Sequence, residues 1–312
     1  MNKKKFKKVL VVLGGTSGER SVSLDSGKAC IKALKKKNYK VLRFDPKFKN
    51  LNLINKLQAD VIFNALHGKD GEDGIAQTYF EYLKIPYTHS GILSSYSAMN
   101  KTISKKIFIK NKILTPRYFS KNKYQINYKN LNKYIIKKKI KFPIVVKPIN
   151  EGSSLGVKIV KNIIELKSAT KFLFQKYNDL MFEQFIGGQE IQVAATSKRA
   201  LGAIELVPKR KFYDYKAKYT KSAKTEHIMP ARLKKNEYLK VLKVARKAHL
   251  ALGCKGVTRS DFKFYKNKFY LLEINTQPGM TKLSLVPEIC SHIGISFPSL
   301  IEKILLDAGL NR

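Results

Sequence analysis

Cysteine is scarce in this sequence of 312 residues. The three cysteines, Cys30, Cys254 and Cys290, are far apart and form no C-x-x-C pair. This spacing argues against a disulfide framework and against a zinc site. No apolar run approaches the ~20 residues of a membrane-spanning helix, and the apolar stretch 9–13 that follows the basic start is too short for a signal peptide. We therefore expect a soluble protein of the reducing cytoplasm.

Acidic residues are also few, with 22 Asp plus Glu against 62 Lys plus Arg, and the net charge is +40. Such an excess would normally suggest nucleic acid or an anionic membrane as partner. The lysines are, however, scattered over almost every predicted surface and form neither a single stripe nor a nucleic-acid motif. We expect no nucleic-acid or membrane partner, although a positive field would attract anionic nucleotides. The apolar fraction of 44% is that of an ordinary globular protein.

Hydrophobic periodicity and loop composition divide the chain into three segments and predict an α/β fold. Residues 1–89 begin with a buried strand, a glycine-rich turn and a helix, as in a small α/β domain. Residues 90–183 contain a further strand–loop–strand unit, in which Asn162 and Glu165 form a helix-start signature. Residues 184–312 contain several strands and a terminal helical region.

Two strands near the C-terminal end carry the strongest chemical signal. Arg259 and Asp261 share a face of the first strand by its period of two, as Glu273 and Asn275 do on the second. If the intervening turn is centred on Asn267, Asp261 faces Glu273 and Arg259 faces Asn275. Facing carboxylates are destabilising unless a cation lies between them. Oxygen ligands favour Mg²⁺, which completes its shell with phosphate and water and so indicates ATP; an acidic hairpin neutralised by nearby lysines is the open alternative.

The loop Asn150–Gly156 is a second candidate site, because its glycines allow close backbone approach and its N–H and hydroxyl groups can bind phosphate oxygens. Lys147, on the buried strand just before it, would be costly without an anionic partner. The loop lacks the Walker spacing, so an ordinary mobile turn remains an alternative interpretation.

Two further positions are ambiguous. The turn Gly14–Glu19 lacks the full G-x-G-x-x-G spacing of a dinucleotide site, but its carboxylate could bind an ammonium group. His67 ends a predicted strand and is either catalytic or a histidine whose hydrogen bonds are satisfied by neighbouring loops.

Taken together, the segments resemble the D-alanine–D-alanine ligase family over nearly the whole chain. The matching stretches are 13–20 (LGGTSGER), 65–68 (ALHG), 71–74 (GEDG), 146–148 (VKP), 151–156 (EGSSLG), 212–215 (FYDY), 217–219 (AKY), 273–276 (EINT) and 278–281 (PGMT). Their order and number make an accidental similarity very improbable.

The resemblance implies an ATP-grasp fold, with ATP between the lobes 90–183 and 184–312 and a Rossmann-like N-terminal domain over 1–89. At matching positions the phosphates would contact Lys101, Lys147, Lys218, Ser153 and Ser154, the adenine would contact Glu183, Phe185 and Ile186, and the ribose Glu190. Two Mg²⁺ ions, for which Mn²⁺ could substitute, would be held by Asp261, Glu273 and Asn275.

The reaction implied is the joining of two D-alanines for peptidoglycan precursors, through a D-alanyl phosphate. The first D-alanine would place its ammonium at Glu19, near His67, and its carboxylate would attack the γ-phosphate of ATP. The second would be held near Arg259, Ser284 and Leu285, and its amine would attack the activated carbonyl. Arg259 and the Gly279 amide would stabilise the tetrahedral oxyanion.

In this family a Glu, a Ser and a Tyr are hydrogen-bonded across the cleft, and Glu19, Ser153 and Tyr219 match them. A tyrosine favours D-alanine over D-lactate as second substrate, since D-alanyl-D-lactate ligases carry phenylalanine there. Two departures are Gln277, where a small serine is common, and Leu283, where relatives often have histidine.

Alternatives are a D-alanine–D-lactate or another ATP-grasp carboxylate–amine ligase, and a non-catalytic basic binding protein suggested only by the charge of +40. Tight, salt-sensitive nucleic-acid binding without ATP turnover would support the non-catalytic binding protein. By resemblance we expect a homodimer.

Overall fold

A three-stranded parallel sheet forms the N-terminal part of the protein. The structure is a computed structural model that describes residues 5–208, 225–281 and 283–312. The first elements are β1 (Lys8–Val12), α1 (Arg20–Lys36), β2 (Lys40–Phe44), a 3₁₀ turn (Leu51–Leu57), β3 (Val61–Asn64) and α2 (Ile75–Tyr82). The strand order is β2-β1-β3, and the central strand β1 is apolar and buried, as a strand covered on both faces must be. The carboxyl ends of β1 and β3 meet at one edge, which brings the loops containing Glu19 and His67 together.

The second sheet is antiparallel, in the order β4-β7-β5-β6. Its part of the chain contains α3 (Ile92–Met99), α4 (Lys101–Lys110), β4 (Tyr118–Asn122), a 3₁₀ turn (Tyr128–Asn130), α5 (Leu131–Lys137), β5 (Ile144–Pro148), β6 (Lys158–Val160), α6 (Ile163–Phe174) and β7 (Asp179–Gln184). The predicted helix start is confirmed, because the Asn162 side chain accepts from the Glu165 N–H at 2.9 Å. The glycine-rich loop joins β5 to β6, which is an edge strand of this sheet.

The third sheet is also antiparallel and has the order β10-β9-β8-β11-β12. The remaining elements are β8 (Gln189–Thr196), β9 (Ala200–Val207), β10 (Glu226–Ile228), α7 (Lys235–Ala251), β11 (Val257–Tyr265), β12 (Lys268–Asn275), α8 (Leu285–His292) and α9 (Phe297–Leu306). In the described ranges no helix alone is long and apolar enough to cross a membrane; α8 and α9 reach that length and hydropathy only together, with a 108° bend between them.

The hairpin of β11 and β12 has the predicted pairing, Arg259 with Asn275 and Asp261 with Glu273. The predicted turn centre is wrong, because Tyr265 pairs with Lys268 and the turn consists of Lys266 and Asn267, both at positive φ. Phe262 pairs with Leu271 and Asp261 pairs with Glu273, so Leu272 is the extra residue of β12 and the predicted pairing is restored from Asp261 onward. A β-bulge of this kind adds one residue to one strand, and here it offsets the displaced turn.

The hydrophobic clusters link the predicted segments. Ala98, Phe108 and Ile113 are buried in the same cluster as the third sheet, although they precede the second sheet in the chain. Residues of β1 and α1 share a cluster with α8 and α9. The three segment boundaries stay a prediction, while the packing ties the first and third sheets into one support for the cleft.

Candidate active site

Two adjoining cavities lie where the sheets meet, and they share Lys101, Glu151 and Glu273. We call them the nucleotide cavity and the substrate cavity. The nucleotide cavity brings together nine predicted site residues: Lys101, Lys147, Ser154, Glu183, Phe185, Ile186, Glu190, Asp261 and Glu273. The substrate cavity brings together Glu19, Ser153, Arg259, Glu273 and Asn275. Lys218 and Tyr219 lie outside the described residues.

A buried charge cluster forms one wall of the nucleotide cavity. Lys147 Nζ lies 2.5 Å from Glu183 Oε2, and Lys105 forms a second ion pair with the same carboxylate. Lys147 therefore has an anionic partner, as its burial requires, and that partner is a predicted adenine contact. Burial alone would raise the pKa of Glu183, but the two ammonium groups together lower it. The carboxylate stays ionised and fixed in direction.

Lys105 was not identified from the sequence. It is fully buried, and its Nζ also donates to Thr115 Oγ1 at 2.6 Å. Burial lowers its pKa to about 8, against the opposing effect of Glu183. The available signal was its position four residues after Lys101 on α4, which places both ammonium groups on one helix face.

The carboxylates predicted to bind metal are neutralised by side chains in this structure. Arg259 donates through Nε and Nη2 to the two oxygens of Asp261, at 2.8 and 3.0 Å. Lys101 Nζ lies 3.4 Å from Glu273 Oε2. An arginine and a lysine thus neutralise the two facing carboxylates in this structure. The alternative to a metal ion was neutralisation by nearby lysines, and Lys101 agrees with it in part.

The donor chemistry nevertheless suits a hard divalent cation. Asp261 and Glu273 border the nucleotide cavity, and Asn275 adds an amide oxygen at the substrate cavity. Mg²⁺ needs only one or two protein carboxylates when phosphate oxygens complete its shell. Within the described ranges no group of three or more His, Cys, Asp or Glu side chains could hold a metal ion, and the predicted set, with two carboxylates and an amide, does not require one.

Glu190, the predicted ribose contact, is held by Lys263, whose Nζ donates to Glu190 Oε2 at 2.9 Å. The two residues face each other on β8 and β11. Phe185 and Ile186 follow β7 directly, so the strand that presents Glu183 also presents both apolar residues to the cavity.

The substrate cavity contains the first two members of the predicted Glu–Ser–Tyr set. Ser153 Oγ donates to Glu19 Oε2 at 2.6 Å and so connects the β5–β6 loop with the start of α1. Glycines enclose the carboxylate, because a Cβ at Gly152 or Gly68 would lie 2.8 or 3.3 Å from Glu19 Oε1. Glu19 is 7% exposed. A buried carboxylate with little room around it is suited to bind a small ammonium group.

His67 uses both ring nitrogens in the protein. Nδ1 lies 2.8 Å from Glu72 Oε1 and Nε2 lies 3.1 Å from Ser26 Oγ. The ring is buried, whereas Glu72 borders the substrate cavity. His67 therefore orients Glu72, a cavity residue that the sequence analysis recorded only as part of a motif.

The predicted second-substrate residues lie around the start of α8. Ser284 precedes Leu285, the first residue of that helix, and its Oγ accepts from the Thr281 N–H at 2.9 Å. A Cβ at Gly279 would lie 2.9 Å from Ser284 Oγ and 3.9 Å from Val22 on α1. The compact turn thus joins the end of β12 to the helix that begins after Glu19.

Comparisons with known proteins agree on one family. A family model described as D-ala D-ala ligase C-terminus matches residues 113–306. The chain is 58% identical to the D-alanine–D-alanine ligase of Pelagibacter ubique strain HTCC1062, over 98% of this chain and 99% of that protein. It superposes on the ATP complex of the Bacillus anthracis D-alanine–D-alanine ligase with a TM-score of 0.83 at 33% identity, covering 97% of each chain. The VanG D-Ala:D-Ser ligase of Enterococcus faecalis gives 0.83 at 26% identity, covering 96% of this chain and 98% of that one.

Proposed function

Because the chain belongs to the D-alanine–D-alanine ligase family and is an ATP-dependent enzyme that joins two D-alanines, we propose that its two cavities hold ATP and the amino acids side by side. The observation that carries this assignment is the substrate cavity, in which Glu19, Ser153 and Arg259 meet Glu273, a residue shared with the nucleotide cavity. Glu19 can bind an ammonium group in the substrate cavity, while the phosphates of ATP lie beyond Glu273 in the nucleotide cavity.

ATP would occupy the nucleotide cavity. Lys101 Nζ donates to the Glu151 carbonyl of the β5–β6 loop at 2.5 Å, and Lys147 lies on β5 just before this loop. We assign both, with the backbone of 153–156, to the phosphates. Glu183 would accept from the adenine amino group, with Phe185 and Ile186 beside the ring, and Glu190 would bind the ribose hydroxyls. The charge cluster around Glu183 supports this assignment, because a carboxylate fixed by two cations need not reorganise when the base binds.

Asp261, Glu273 and Asn275 would hold two Mg²⁺ ions, with Mn²⁺ as a substitute. When bound, the ions would offset negative charge on the phosphate oxygens. Arg259 would then divide its guanidinium between Asp261 and the substrates, which its fork of five N–H donors allows.

In the first step the D-alanine bound through its ammonium at Glu19 attacks the γ-phosphorus with a carboxylate oxygen, and ADP leaves. In the second step the unprotonated amine of the other D-alanine attacks the carbonyl of the D-alanyl phosphate. A C–N bond forms, the amine loses a proton and phosphate leaves. Arg259 and the Gly279 N–H would stabilise the oxyanion, and Ser284 with Leu285 would hold the second carboxylate near α8. His67 would act by orienting Glu72 near the first D-alanine.

D-Alanine is the acceptor that the family membership supports, and a D-lactate-specific enzyme is not favoured. We also propose that the enzyme works as a cytoplasmic homodimer without a nucleic-acid partner. The scattered placement of the lysines supports the last point. Light scattering would test the dimer.

Phosphate release from ATP and Mg²⁺ tests the metal assignment, with product mass recorded for D-alanine, L-alanine, and D-alanine plus D-lactate. We expect D-alanyl-D-alanine from the D-isomer and a loss of at least about 100-fold in kcat/KM for Asp261→Ala, as is typical when a charge-stabilising group is removed. Asp25→Ala is the matched control, since its side chain is 68% exposed on α1. Near-normal activity in Asp261→Ala would contradict the assignment of the metal site but not the assignment of ligase activity.

A further inference from the structure

Gln277 makes a contact across the cleft that the reaction scheme does not use. It is 2% exposed and follows Asn275 by two residues, beyond the end of β12. Its N–H donates to Asn275 Oδ1 at 2.7 Å, so the backbone of this turn is fixed by a predicted metal ligand. The side chain extends away from the turn to the loop that follows β3.

Both ends of the Gln277 side-chain amide are bound there. Oε1 accepts from Asn64 Nδ2 at 2.9 Å, and Nε2 donates to the carbonyl oxygen of Leu66. Asn64 Nδ2 also donates to the Gly71 carbonyl at 3.2 Å. One amide therefore contacts the beginning of the 65–72 loop directly and its end through Asn64.

The 65–72 loop carries the pair of His67 and Glu72, whose carboxylate borders the substrate cavity. The end of β12 borders the same cavity through Asn275, and Thr276 just beyond the strand does so as well. The loop is folded tightly on itself, since a Cβ at Gly71 would lie 2.5 Å from the Leu66 Cβ. Displacement of Leu66 would thus be transmitted to Gly71 and Glu72.

We propose that Gln277 is a positioning residue for D-alanine: its amide joins the end of β12 to the 65–72 loop and fixes Glu72 relative to Asn275. This inference rests on the proposed assignment of the substrate cavity to D-alanine. The small serine common at this position in the family is too short to span the same two partners. In this chain the longer side chain links the end of β12 to the 65–72 loop.

The first test measures KM for D-alanine and for ATP separately in Gln277→Ser. Loss of the two bonds should raise the D-alanine KM about tenfold, with the ATP KM within about twofold of wild type. Thr170→Ala is the matched control, because Thr170 is a fully buried residue of α6 with one side-chain hydrogen bond, to the Leu166 carbonyl. A D-alanine KM within about twofold of wild type, with only a lowered Tm as in Thr170→Ala, would overturn the proposal.

Hydrogen exchange separates this proposal from the proposed function, since it requires no turnover. Amides of the 65–72 loop should exchange faster in Gln277→Ser, and those of β7 should not. Unchanged exchange in the loop would overturn the positioning role even in an active enzyme. Faster exchange in the loop of the variant, together with a wild-type enzyme that is inactive with D-alanine, would instead contradict the substrate assignment alone.

Discussion

At the scale of single residues, Lys105 offers a test of the charge cluster. Its pKa is lowered by burial to about 8 in the folded protein, against 10.5 in the unfolded chain. Between these values the unfolded state binds more protons, so the contribution of Lys105 to stability rises as pH increases through this window. Below about pH 8 both states are protonated and the contribution no longer changes.

We expect the free energy of unfolding of wild type minus that of Lys105→Met to rise by roughly 3 kcal/mol between about pH 8 and about pH 10, because only wild type has a lysine here whose pKa is lowered by burial. The KM for ATP should also rise in the variant, because Glu183 then keeps only Lys147 as a cation. Denaturant titration at several pH values measures the first effect and steady-state kinetics the second. Lys106→Met, at the exposed neighbouring position, is the control. A difference that falls as pH increases would contradict a lowered Lys105 pKa.

Residue chemistry explains which contacts could be predicted from the sequence. The need of Lys147 for an anion follows from burial alone, but the choice of Glu183 depends on β5 and β7 being neighbours, a long-range pairing. The same holds for Gln277, whose partner Asn64 is 213 residues away in the chain. Local sequence patterns predict that a buried polar group has a hydrogen-bond or ion-pair partner, but they do not identify that partner.

At the scale of elements, the β5–β6 loop is held by the close approach of Gly152 to Glu19. We expect Gly152→Ala to lower kcat/KM for D-alanine about tenfold or more, because the added Cβ would lie 2.8 Å from Glu19 Oε1 and displace the bond to Ser153. Gly187→Ala is the matched control, since a Cβ there meets no atom within 4 Å. Steady-state kinetics checks both variants; equal activities would mean that the loop moves away from Glu19 at little cost.

The register of the β11–β12 hairpin was predicted correctly, but from an incomplete account of its turn. Side-chain alternation together with a turn centred on Asn267 predicted that Asp261 faces Glu273, and this pairing is present. The turn of Lys266 and Asn267 alone would have shifted the register by one residue, and the bulge at Leu272 compensates for it. A bulge depends on packing across the sheet, so alternation within one strand cannot reveal it.

At the scale of the whole molecule, the family resemblance extends over nearly the entire chain and predicts the ATP-grasp architecture that the relatives confirm. The packing of α3 and α4 could not be predicted in this way. These helices precede the second sheet in sequence, yet Ala98 and Phe108 lie in the core of the third. Position along the chain does not reveal this neighbour, since burial of an apolar helix face depends on the sheet that is free to cover it.

The net charge of +40 belongs to this scale as well, because most lysines in the described ranges are exposed at the surface. A positive field of this size should favour the approach of anionic ATP and have little effect on zwitterionic D-alanine. We therefore expect the KM for ATP to rise several-fold between about 50 mM and about 500 mM NaCl, while the KM for D-alanine changes little, since screening shortens the Debye length well below the size of the protein. The two KM values measured across a salt series check this, with D-alanine as the internal control. An ATP KM that is flat in salt would mean that the local cations Lys101 and Lys147 account for nucleotide attraction and that the surface charge plays no part in it.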